Sequence, residues 1–149
     1  FSAKIRTLVY NEKAVVLMIT PVLRVRDVER SLRFYTHLLG FTGAGGLPGV
    51  DGKTVLAEAY LGDARLLFAR RASLSTLTVC RSELYITLND GIDELYRRLR
   101  THDVPLCAEM HEEIWGERAF TITDLDGNRV TFAQAINYAE VPVELAQTA

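Results

Sequence analysis

The chain of 149 residues contains no hydrophobic run close to the ~20 residues that a membrane-spanning helix requires. Thr20 and Pro21 interrupt its one extended apolar stretch, Ala14 to Leu23, and no small-residue cleavage site follows, so that stretch does not read as a secretory signal. Cysteine is scarce. Cys80 and Cys107 stand far apart, outside any Cys-x-x-Cys or Cys/His spacing, so free thiols in a reducing cytoplasm are the favoured reading and a disulfide between them is an alternative without support in the pattern. Charge of one sign is also lacking. With 17 Lys and Arg against 19 Asp and Glu, the net charge of −2 is not the basic surplus of a nucleic-acid binder. Neither a Gly-x-Ser-x-Gly elbow nor a His-Glu-x-x-His helix occurs, so hydrolase chemistry has no handle. The glycine-rich run from Gly43 to Gly49 lacks the Gly-Lys-Ser/Thr ending and the following helix of a phosphate loop; it reads as a flexible loop. Of the three histidines, His37 and His102 fall on or near helix ends, and His111-Glu112-Glu113 reads as a solvated loop because adjacent loop residues rarely converge on one ion.

What is present is a soluble globular composition, 48% hydrophobic and 24% charged, enough to bury a core in one domain. The most informative stretch runs from Trp115 to Ala133. Its centre, Asp124-Leu125-Asp126-Gly127-Asn128, is turn chemistry: Gly and Asn tolerate positive φ, and Asp side chains bond their own backbone. β-rich runs flank it, Phe120 to Thr123 and Arg129 to Phe132, so a β-hairpin is expected. The run Leu61 to Ala69 repeats Leu125 to Ala133, with Leu, Arg, Phe and Ala recurring at one fixed offset.

The remainder of the chain follows that repeat. Ile19 to Val25 reads as a strand with Leu23 and Val25 on one face and Thr20, Val22 and Arg24 on the other. Asp27 caps a helix with Glu29 in its first turn, and Val28, Leu32, Tyr35 and Leu39 form its apolar stripe up to Gly40. Strands at about 54–60 and 64–69 complete the first unit. After a linker from Arg70 to Ser82 the order recurs: a strand from Leu84 to Asn89, a cap at Asp90, and a helix with Ile92, Leu95 and Leu99 inward and Arg97, Arg98 and Arg100 at its end. A short strand near Leu106–Met110 leads into the final hairpin. The expected organisation is an N-terminal extension over residues 1–17, one domain over 18–135 with modules at about 18–70 and 83–135, and a C-terminal tail over 136–149.

Two stretches carry a family resemblance. Thr20-Pro21-Val22-Leu23-Arg24-Val25-Arg26-Asp27 through Phe34-Tyr35 and Leu39-Gly40-Phe41 resembles the first module of the glyoxalase / bleomycin resistance / extradiol dioxygenase superfamily, the vicinal-oxygen-chelate proteins. Trp115-Gly116-Glu117-Arg118 with Asp124 to Arg129 is similar to its last hairpin. The resemblance implies an α+β fold of two βαβββ modules whose mixed sheets curl into a cup, paired in a homodimer. In the metal enzymes of the family, four sheet positions chelate a divalent ion. By resemblance these are Thr20, Leu67, Glu83 and Thr131, and only Glu83 carries a ligand-grade group. The resemblance therefore points to the metal-free, bleomycin-resistance-like branch. Such a protein takes no cofactor and sequesters a flat or amphipathic drug-like molecule, with no catalytic residue assigned. The alternatives are a metal-dependent lyase, isomerase or dioxygenase with displaced ligands, and an interaction module with no small ligand.

The expected cup residues are Thr20, Arg24, Leu67, Glu83, Tyr85, Trp115, Arg118 and Thr131. Trp115 has two readings, a ring packed over the hairpin or a stacking platform at the cup mouth. Arg24 needs an acidic partner if it points inward, and Glu83 is the candidate; the pair could equally clamp a charged ligand group. Arg118 and Arg129 are expected to pair with Asp124 or Asp126.

Overall fold

The computed structural model describes residues 18–71 and 81–137. The expected N-terminal extension, most of the linker with Cys80, and most of the C-terminal tail lie outside the described residues. Within them, one order of elements occurs twice. The first unit is β1 (Val22–Val25), α1 (Val28–His37), β2 (Thr42–Pro48), β3 (Thr54–Leu61) and β4 (Ala64–Arg70). The second is β5 (Glu83–Leu88), α2 (Ile92–Thr101), β6 (Leu106–Glu112), β7 (Glu117–Thr123) and β8 (Arg129–Ala135). Each unit makes one four-stranded mixed sheet, in the orders β1-β4-β3-β2 and β5-β8-β7-β6. The β1/β4 and β5/β8 pairs are parallel and the others antiparallel. This is the expected α+β architecture of two βαβββ modules, with neither sheet closed into a barrel.

Local chemistry accounts for most of these elements. The Asp27 side chain accepts from the Arg30 N–H at 3.0 Å, capping α1, and Glu29 lies in the first turn where the helix dipole favours an anion. Val28 and Tyr35 are buried, Leu32 packs half-buried against the core, and Leu39 is buried just beyond the helix. Gly40 takes φ +82° to turn the chain into Phe41. In α2 the buried residues are Ile92, Leu95 and Leu99, as the spacing predicts. The β3–β4 hairpin closes through Gly62 and Asp63, with Gly62 in the left-handed region.

Three local expectations are corrected. The glycine-rich run is a strand, β2, paired antiparallel with β3 through two irregularities of register. At Gly46 an added Cβ would stand 2.6 Å from Thr54 Cγ2, so the glycine permits a close backbone approach at a bulge rather than flexibility. Asp90 does not cap α2. Gly91, at φ +81°, is the capping residue without a side-chain bond, and the Ile92 N–H donates instead to Gln134 Oε1 of β8 at 3.0 Å. Finally, β6 runs on to Glu112, so His111 and Glu112 are strand residues opposite Ala119 and Arg118, not loop residues.

A single core spans both modules. Leu23 and Val25 of β1, Leu66 and Phe68 of β4, Phe120 and Ile122 of β7, and Val130 and Phe132 of β8 belong to one buried cluster with Tyr35 and the α2 stripe. Tyr35 packs edge-on against Phe68 with ring centroids 4.9 Å apart. Its hydroxyl crosses to the second module and donates to Asp124 Oδ2 at 2.9 Å. Asp124 lies in the β7–β8 turn and is also held by the N–H groups of Asp126 (2.9 Å) and Asn128 (2.8 Å) and by Asn128 Nδ2 (2.8 Å). Next to it, Asp126 accepts from the Arg26 N–H and Nε–H and from Ser31 Oγ. Asp124 and Asp126 therefore join the hairpin to α1, and the expected partners Arg118 and Arg129 bond elsewhere. Burial, then the Asp124 charge, pushes the Tyr35 hydroxyl far up, so it stays a neutral donor.

Removing that hydroxyl leaves a buried carboxylate one donor short. Tyr35→Phe is expected to lower stability by about 1–3 kcal/mol. Urea unfolding checks it: the midpoint falls while the slope with denaturant is unchanged.

Candidate functional site

Residues alternate along each strand, so the core-facing residues leave an opposite, helix-free face on each sheet. On the first sheet the register sets Val22, Leu67 and Glu58 in one row, flanked by the row of Arg65 and Tyr60. On the second it sets Tyr85, Thr131 and Thr121 in one row, with Thr87, Ala133 and Ala119 beside it. These two faces carry most of the residues expected to line a cup.

The first face is electrostatically closed. Glu58 accepts from the Tyr60 hydroxyl at 2.6 Å and pairs with Arg65. Both bonds, Tyr60 first, hold its carboxyl below the usual carboxylate range. Arg65 Nε is buried and has no hydrogen-bond partner among the described residues. Arg65 also stands on the wall of a cavity of about 510 Å³ between the β3–β4 hairpin and β5. The opposite wall includes Leu84, Tyr85 and Ile86, and Met18, Phe41 and Leu66 make it largely apolar.

The second face is organised by a residue that sequence reasoning missed. Glu117 Oε2 accepts from Trp115 Nε1 at 2.7 Å and from the Tyr85 hydroxyl. Trp115 sits in the β6–β7 turn, where Gly116 adopts φ +88° and its N–H donates to the Glu113 carbonyl. Tyr85 lies on β5, two strands from β7, and Ala119 and Ala133 stand in the rows between, where larger side chains would block its path. The bonds from Tyr85 and then Trp115 hold the Glu117 carboxyl low, and Glu117 pushes the Tyr85 hydroxyl up. Both rings remain open, Tyr85 52% and Trp115 61% exposed. Trp115 is thus not a lid over the core. Its position two residues before a Glu that opens a strand was the available signal; the reach of Tyr85 was not readable from order alone.

The other expected site residues are dispersed. Thr20 precedes β1, half-buried, and Val22 rather than Thr20 stands directly opposite Leu67. Thr131 shares a hydrogen bond of 2.8 Å with Thr121. Glu83 pairs with Arg129 at 3.2 Å, not with Arg24, which is exposed on β1. The two begin their strands side by side, so the local pairing wins. Arg118 grips both Asp93 oxygens, at 2.8 and 2.9 Å, tying β7 to α2.

The match to a family model decides the relationship: residues 16–132 fit the glyoxalase/bleomycin resistance protein/dioxygenase superfamily. The chain belongs to that superfamily. A bleomycin resistance protein of Geobacillus stearothermophilus is 28% identical over 130 residues, covering 78% of this chain and 95% of the relative. Two solved structures share the fold. TioX of Micromonospora sp. ML1 has a TM-score of 0.68 at 19% identity, covering 79% of this chain and 98% of its own. TnmS3, an antibiotic-binding protein of Streptomyces sp. CB03234, has a TM-score of 0.65 at 22% identity, covering 83% and 98%.

Metal enzymes of the superfamily hold an ion at four sheet positions, and the residues corresponding by sequence here do not fit one. Leu67 has no donor atom, Thr131 is engaged with Thr121, and Glu83 is paired with Arg129. His111 does not supply a substitute, because its ring nitrogens already meet the Glu109 carbonyl at 2.8 Å and Glu113 Oε1 at 3.0 Å.

Those two contacts, the Glu109 carbonyl first and then Glu113, raise His111 above its ordinary value. A histidine raised on folding stabilises fully below its unfolded value of about 6.5, and that contribution is lost as pH rises through the higher folded value. The native protein is therefore expected to lose its thermal-stability advantage over His111→Gln as pH rises above about 6.5. Melts across pH, with an NMR titration of the His111 ring, check both the sign and the raised value.

Proposed function

We propose that this protein is a metal-independent binder of flat or amphipathic drug-like molecules, of the kind that includes bleomycin-type antibiotics, and that it acts by holding its ligand rather than converting it. The observation that carries this reading is the open aromatic pair, Tyr85 and Trp115, on the second sheet. Tyr85 also walls the apolar cavity of about 510 Å³, a size suited to a drug-sized ligand. Leu67 and Thr131, the latter bonded to Thr121, stand where metal-binding relatives need strong donors, which supports holding over chemistry. The bleomycin-resistance relative and the antibiotic-binding TnmS3 lend the ligand class. No helix among the described residues is long and apolar enough to cross a membrane.

We further propose a homodimer. Val22 and Leu47 are exposed on sheet surfaces that a second copy would cover, and isologous pairing is the commonest way to do so. Light scattering at micromolar concentration is expected to give about twice the chain mass of 16.7 kDa; a single-chain mass at every concentration refutes pairing.

Titration with bleomycin and other planar drugs is expected to quench the single tryptophan, unchanged after exhaustive chelation. Removing the Trp115 ring forfeits about 0.5–1.5 kcal/mol of stacking, so Trp115→Ala should bind several-fold to about tenfold more weakly by calorimetry. Equal binding by the variant, or binding abolished by chelator, overturns the corresponding half of the proposal.

A further inference from the structure

His111 of β6 is held in a way that only its charged form satisfies. Nδ1 stands 2.8 Å from the Glu109 carbonyl oxygen and Nε2 stands 3.0 Å from Glu113 Oε1, so both ring nitrogens face an acceptor. An imidazolium donates to both. A neutral imidazole carries one N–H and must set a lone pair against the other oxygen. The carbonyl is fixed two residues back in the same strand, whereas the Glu113 side chain is partly exposed and able to swing into water. Proton loss therefore releases Glu113 and keeps the carbonyl. The other charged groups on β6 and on the elements packed against it are engaged away from the ring. The Glu109 carboxylate is taken by Tyr96 and Arg100 of α2. Glu112 stands opposite Arg118 of β7, which grips Asp93 of α2. Glu117 of β7 accepts from Tyr85 of β5 and from Trp115.

Glu113 is also the residue that opens the β6–β7 turn. Its N–H donates to the Glu117 carbonyl at 2.7 Å, and its own carbonyl accepts from the Gly116 N–H at 3.0 Å. The next two residues, Ile114 and Trp115, are exposed and give the turn no anchor in the core. Among the described residues, the His111–Glu113 bond is the one side-chain tie from β6 into the turn. We infer that His111 and Glu113 form a pH-operated clasp on the β6–β7 turn, closed while the ring is charged and opened when it loses its proton, so that Trp115 is held differently on either side of that transition. The contacts that close the clasp, the Glu109 carbonyl first and then Glu113, also raise the ring above its ordinary value of 6.5. Proton loss removes the cation paired with Glu113, whose charge is felt at the Tyr85 hydroxyl, so the surface around Tyr85 and Glu117 becomes more negative as pH rises. The clasp is a property of the turn and holds whatever ligand the protein takes.

Trp115 is the single tryptophan, so its emission reads the turn directly. In the ligand-free protein, emission is expected to step with pH at the same midpoint as the NMR titration of the His111 ring. The neutral ring should carry its proton on Nδ1, seen in the ring nitrogen shifts, because the carbonyl keeps its bond. Added salt should lower the midpoint, since the pair is partly exposed. Glu113→Gln removes the charge but leaves an amide that can accept from the charged ring and donate to the neutral one. That variant should lose the emission step, and its His111 midpoint should fall toward the ordinary value, with the melting temperature above the transition near native. His111→Gln should lose the step as well. A native emission that stays flat through the His111 titration overturns the clasp. So does a step that survives Glu113→Gln, which would belong to His37 or His102 on the helices. A neutral ring protonated on Nε2 shows that the carbonyl contact opens instead of Glu113, and overturns it equally.

Discussion

The bond from Tyr35 to Asp124 is the constraint on which the arrangement of the two modules rests. Asp124 is buried, and an ionised carboxylate out of water is costly unless donors surround it. Here four surround it: the Tyr35 hydroxyl, two backbone N–H groups of its own turn, and Asn128 Nδ2. Three of the four shape the β7–β8 turn. The fourth comes from α1 of the other module, so the turn is satisfied only when the modules are docked. The Arg26 and Ser31 bonds to Asp126 repeat the link from the start of α1. Such a network is worth more intact than in parts, because each missing donor strands charge in a place water cannot reach.

This docking sets where the open faces lie. Tyr35 is at once the core ring against Phe68 and the donor to the hairpin, so the first sheet, α1 and the second module's turn are fixed through one side chain. The strands that leave that turn, β7 and β8, carry Glu117 and Thr131 outward on the opposite face. A polar junction inside an apolar core thus positions an open face elsewhere in the same sheet.

The duplicated order of elements was legible because it is written in local chemistry. The Asp27 cap, the Leu23/Val25 alternation and the Asp124–Asn128 turn each act within a few residues, and each appears as expected. Glycine misled, because the same residue serves a flexible loop and a crowded strand; only the 2.6 Å approach of Thr54 at Gly46 tells them apart. Asp90 misled because the helix start it preceded is satisfied by Gln134, forty-two residues away. The charge pairs were the least readable. Arg26 meets Asp126 across 100 positions, while Arg118 chooses Asp93, and nothing in local spacing ranks those partners. The candidate site shares that difficulty. Tyr85 and Trp115 were visible as aromatics, but the carboxylate that gathers them required knowing that β8 separates β5 from β7.

The duplication also makes the divergence between the two faces meaningful. Both modules began with the same plan, so differences at matching rows reflect what each face now does. In one row Leu67 lies between Val22 and Glu58; in its counterpart Thr131 lies between Tyr85 and Thr121. The first pairs its charge internally through Arg65, which costs it an exposed anion but leaves a quiet wall for the cavity. The second caps its polar groups with each other, Thr131 on Thr121, while Glu117 meets only the neutral donors of Tyr85 and Trp115 among the described residues.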